Sequence, residues 1–94
     1  MEAPEQHQTD ESSGASFSGL VLMLGTTALV LLGAAPEPGS GEAKVNLDQA
    51  KQVLDLLDVL KAKTAGNLTG AEARLLDDLL FDLRLRYMDA AKRA

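Results

Sequence analysis

The chain opens polar, turns uncharged and mostly apolar at Phe17, and from Leu47 onward alternates apolar and charged positions with a helical period. Residues 17–32, FSGLVLMLGTTALVLL, carry no charge; Ser16 or Ser18 can cap the start, and Gly33 followed by Pro36 and Pro38 stops the run. A buried strand is the alternative, but the run exceeds the usual strand length, so a helix over 17–32 is predicted. On a wheel of 100° steps its apolar side chains surround the cylinder, relieved only by small residues at Ser18 with Gly25 and at Gly19 with Thr26. No side of that helix suits water. Protein or lipid is expected to enclose it, and the small residues would admit a second backbone in either setting.

The next two patterns are amphipathic. Leu47, Ala50, Val53, Leu54, Leu57 and Leu60 form one stripe, which predicts a helix over 47–65 pressed against a core, with Leu56 and Val59 outside the stripe. Asn46 is its cap, Gln49 is placed to reach back to the Asn46 amide, and Gly66 suits the left-handed position beyond the helix. A helix over 70–92 follows, because Thr69-Gly70-Ala71-Glu72 matches the S/T-x-x-E capping box, with Leu68 and Ala73 at the staple positions. This helix carries two apolar faces. Leu75, Leu76, Leu79, Leu80, Leu83 and Tyr87 share an arc of about 140°, while Phe81, Leu85 and Met88 cluster near the opposite side. A hairpin of the last two helices covers the first face; the second needs the apolar helix or another chain.

Ninety-four residues make one domain at most. The net charge of -5 is unevenly placed: residues 1–43 hold six acids and no Lys or Arg, whereas 44–94 hold nine basic and eight acidic residues. Residues 1–15 are too poor in apolar side chains to offset the entropy of ordering and read as a disordered acidic tail, with an interaction tail as the alternative. Residues 16–94 are the single helical domain, and 33–45, which include PEPGSGEAK, are its linker. Gly39, Gly41 and Lys44 lack the spacing of a phosphate-binding loop, and no Ser or Thr follows Lys44.

Composition removes several chemistries. With no Cys, the chain forms no disulfide, thiol nucleophile or thiolate zinc site; three aromatics and an acidic balance disfavour nucleic acid. His7 is the only imidazole and falls in the tail, away from any orienting partner. Asp77, Asp78 and Asp82 do not converge on a wheel; Asp78 with Arg74 and Asp82 with Arg86 are expected as solvated helical pairs, so no metal is expected. Asn67-Leu68-Thr69 matches a glycosylation acceptor, but Thr69 is already required as a cap.

Lipid is the main rival for the apolar helix. Its length of about 24 Å falls short of a hydrocarbon core of about 30 Å, and Trp, Tyr and Lys anchors are missing on both flanks. A secretory signal needs a basic region ahead of the apolar run, and the first basic residue is Lys44.

Val45-Asn46-Leu47, Ala50-Lys51-Gln52, Lys63-Thr64, Gly66-Asn67-Leu68-Thr69, and Leu83-Arg84 followed by Tyr87 are the most distinctive pieces of a longer likeness. Together with the apolar run they make residues 16–88 resemble a small bacterial family known as domain of unknown function 1844. The resemblance implies a bacterial, short, helical, stand-alone protein and supplies no catalytic or binding residue.

These readings combine into an all-α fold: a short bundle of three helices, the last two a capped hairpin, completed by homo-oligomerisation. A lone copy would leave a large apolar patch, so the expected partner is the chain itself, as a dimer first and a tetramer next. Phe17, Leu20, Leu24, Gly25, Ala28 and Leu31 are the expected interface residues of the apolar helix, joined by Phe81, Leu85 and Met88 of the last. Arg84 and Tyr87 are candidate anchors, since Arg and Tyr are enriched at interface hot spots and are also common in cores. The expected function is a non-catalytic, cytoplasmic structural or interaction protein without cofactor. A membrane-associated protein anchored by the same helix is the alternative, and an enzyme assembled at the oligomer interface a more remote one.

Overall fold

The computed structural model describes residues 15–35, 39 and 44–93. Among them every regular element is helical: α1 (Phe17–Leu31), α2 (Leu47–Lys63) and α3 (Gly70–Arg93). The predicted acidic tail, Ala15 excepted, and most of the predicted linker lie outside the described residues.

Each helix starts where a side chain can satisfy amides that the first turn leaves without partners. Ser16, not Ser18, caps α1: its Oγ accepts from the Gly19 amide at 2.9 Å. Asn46 Oδ1 accepts from the Gln49 amide at 3.0 Å. At α3 the capping box closes both ways, Thr69 Oγ1 accepting from the Glu72 amide at 3.1 Å and Glu72 Oε1 from the Thr69 amide at 2.9 Å. Lys61 and Lys63 in the last turn of α2, and Lys92 and Arg93 in that of α3, suit the negative end of each helix dipole.

The expected return of Gln49 to the Asn46 amide does not form. That amide donates instead to the Leu31 carbonyl at 2.7 Å. An isolated antiparallel bridge between Leu32 and Val45 reinforces this closure and ties the end of α1 to the start of α2. Gly33 has φ of +77°, and a Cβ there would stand 2.7 Å from Val45 Cγ2, so both the turn and the close approach call for glycine. The second helix also ends slightly earlier than predicted. Thr64 caps it, its amide and hydroxyl both donating to the Leu60 carbonyl, at 3.0 and 2.8 Å.

All three helices pack against one another around a single core. The contributions are Val21, Ala28 and Leu32 from α1 and its end, Ala50, Val53, Leu54 and Leu57 from α2, and Leu76, Leu80, Leu83 and Ala90 from α3. The α2 and α3 contributions follow the predicted stripes, Ala90 extending that of α3; α1 has no predicted stripe, and Ala28, expected at an interface between copies, is in the core. Burial of one such large side chain stabilises the fold by about 1.5–3 kcal/mol, and Leu57, Leu76, Leu83 and Val21 are fully enclosed.

The apolar helix is enclosed on one side only. Val21, Gly25 and Ala28 face the core, whereas Leu20, Leu22 and Met23 are exposed. A two-helix hairpin presents one groove, so a third helix seated in it keeps its far side outside whatever its composition.

Candidate functional site

The outward side of α3 holds the most exposed large apolar side chain of the described residues. Phe81 is 69% exposed, and Leu85 and Met88, at 52% and 56%, continue its stripe on the face opposite buried Leu80 and Leu83. Spacings of four and three residues place all three on one line along the helix. Leu56 and Val59 of α2 are exposed too, as their positions outside the stripe imply.

The remaining expected interface residues divide by face. Gly25 and Ala28 are buried within the chain, and Phe17, Leu24 and Leu31 are partly buried against its core. Leu20 alone of the α1 set is substantially exposed. At Gly25 the space left by the missing side chain is taken within the chain by the side chain of Leu79 of α3, not by a second backbone.

Arg84 and Tyr87 do come together. With Lys51, Leu54, Asp55 and Met88 they line an open cleft of about 230 Å³ between α2 and α3. Tyr87 packs against the core, and Arg84 forks onto Asp58 of α2, Nη1 donating to Oδ1 at 3.3 Å and Nη2 to Oδ2. Lys51 is paired with Asp55 at 3.0 Å. Both cationic groups of the cleft are thus matched by carboxylates of α2. The Arg84–Asp58 pair escaped sequence reasoning because its partners are 26 positions apart; the Lys61–Asp77 pair, at 2.8 Å, also crosses between helices. Neither leaves a local periodic signal.

The carboxylates of α3 diverge as the wheel predicts. Asp77 turns to Lys61, Asp82 to Arg86 at 2.9 Å, and Asp89 to Arg93 at 3.1 Å. The expected Arg74–Asp78 pair is not formed. In water an exposed pair gains little over two separately hydrated charges, so helical spacing permits the contact without enforcing it. Among the described residues no group of three or more His, Cys, Asp or Glu is placed to hold a metal; His7 lies outside them.

The outward side of α3 thus presents an exposed apolar stripe. Among the described residues Asp77, Asp82, Arg84, Arg86, Asp89 and Arg93 of α3 are held in ion pairs. No curated protein and no solved structure matches the chain. The family model described as domain of unknown function (DUF1844) matches residues 14–89, a span running from just before the Ser16 cap to Asp89 in α3. All of α1 and α2 and most of α3 are covered by that match, and the chain belongs to the DUF1844 family.

Proposed function

We propose that the chain is a non-catalytic structural or interaction protein that works as a homo-oligomer. The observation that carries this reading is the set of large apolar side chains on the outer sides of its helices: Phe81, Leu85 and Met88 on α3, Leu20, Leu22 and Met23 on α1, and Leu56 and Val59 on α2. Scattered single exposures are ordinary, but a row such as Phe81, Leu85 and Met88 along one line of α3 suits an association surface. Homo-oligomers close most often as two-fold dimers, with tetramers next, which sets the order of expected stoichiometry.

The alternative of an anchor through α1 has less support. Its 15 residues reach about 22 Å, and no described helix is long and apolar enough to cross a membrane. Static light scattering on the full chain without detergent tests the reading. A mass that is a small whole multiple of the chain mass supports it; recovery as a monomer, or only with lipid or detergent, overturns it.

A further inference from the structure

We propose that the self-association surface is the outward side of α3, and that a second copy docks there antiparallel about a two-fold axis passing beside Leu85; this rests on the homo-oligomer reading above.

The seam has a pattern of its own. Asp78, Phe81, Leu85, Met88 and Lys92 follow one another at alternating spacings of three and four residues, the repeat with which two helices pack side by side. Its apolar centre is exposed, so the seam faces away from the core. Its ends carry opposite charges, Asp78 seven residues before Leu85 and Lys92 seven after.

That symmetry selects the direction of the partner. At about 1.5 Å per residue, Asp78 and Lys92 lie about 10 Å to either side of Leu85. An antiparallel copy sets Leu85 against the partner's Leu85 and brings Asp78 level with the partner's Lys92, once at each end. Phe81 then stands within about 1.5 Å of the level of the partner's Met88, a sulfur-to-ring contact that suits both side chains. A parallel copy would set Asp78 against the partner's Asp78 and Lys92 against the partner's Lys92, with like charges opposed at both ends.

A second observation points the same way. Asp77, Asp82, Arg84, Arg86, Asp89 and Arg93 of this helix are all in ion pairs within the chain. Among the described residues Asp78 and Lys92, and Arg74 one turn before Asp78, have no ion-pair partner. An antiparallel copy would match Asp78 and Lys92, while Arg74 lies beyond the reach of the pairing. Met88 also borders the cleft lined by Arg84 and Tyr87.

Cross-linking through introduced cysteines reads the geometry, since the chain has none of its own. Full-length Asp78→Cys and Lys92→Cys chains, mixed and mildly oxidised, are expected to link mainly 78 to 92. Sedimentation of Leu85→Asp, with helicity checked by circular dichroism, is expected to show a dissociation constant raised about 100-fold or more, the scale of a hot-spot loss counted in both copies. Asp78→Lys alone weakens association about threefold to tenfold, and adding Lys92→Asp restores it. Links of 78 to 78, or an oligomer indifferent to Leu85→Asp, overturn the docking geometry while leaving self-association standing. A natural chain that is monomeric overturns both.

Discussion

Gly25 of α1 and Leu79 of α3 meet so closely that a Cβ on Gly25 would lie 2.7 Å from Leu79 Cδ2 and 3.1 Å from its Cδ1. This contact fixes how deeply the apolar helix seats in the hairpin. Gly25→Val is therefore expected to destabilise the fold by about 1–3 kcal/mol through overpacking. Leu79→Ala made in the Gly25→Val background should cost less than it does in the natural chain, because the clash disappears with it. Urea titrations of the four chains measure that coupling.

Thr69→Ala removes one half of the reciprocal capping box and leaves the Glu72 amide without its acceptor. A loss of about 1 kcal/mol is expected, or about 4–8 °C in melting temperature for a domain of this size. An unchanged melting curve would contradict the assigned start of α3.

Arg84→Ala breaks the fork onto Asp58, but both side chains are nearly half exposed. Its effect on folding should stay below about 1 kcal/mol. A larger loss in thermal unfolding would mean that this pair holds α2 to α3, and that the leucine core does less than its burial implies.

Leu57 and Leu85 are the same residue type in opposite settings, one fully buried and one about half exposed. Leu57→Ala should cost about 2–5 kcal/mol of folding stability. Leu85→Ala, measured in dilute solution where chains are separate, should lie within about 0.5 kcal/mol of the natural chain. Similar losses at the two sites would contradict the placement of the α3 faces.

The three helices, their caps at Asn46 and Thr69, and the division of α3 into an inner and an outer face were legible in the sequence. Those features depend on local spacing and cap chemistry, which a linear pattern records. The same periodicity set Leu56 and Val59 outside the stripe of α2 and Phe81, Leu85 and Met88 on a second face of α3. It left open whether the apolar helix would cover that face; in the fold it does not. What was hidden depends on neighbours distant in the chain. The Asn46 amide serves Leu31 and not Gln49, because the closure between α1 and α2 brings a carbonyl to it first. The Arg84–Asp58 fork needs the hairpin to exist before the two groups can meet. The uniform composition of α1 concealed which side would be covered; Gly25 turned inward, where the Leu79 side chain leaves no room for a Cβ.

The molar mass of the full chain in detergent-free solution, followed by light scattering as concentration rises, tests most directly whether the exposed apolar faces serve self-association. A rise from the 9.9 kDa chain mass to twice that value is expected, with a tetramer as the next step. A mass that stays at 9.9 kDa at every attainable concentration would contradict it.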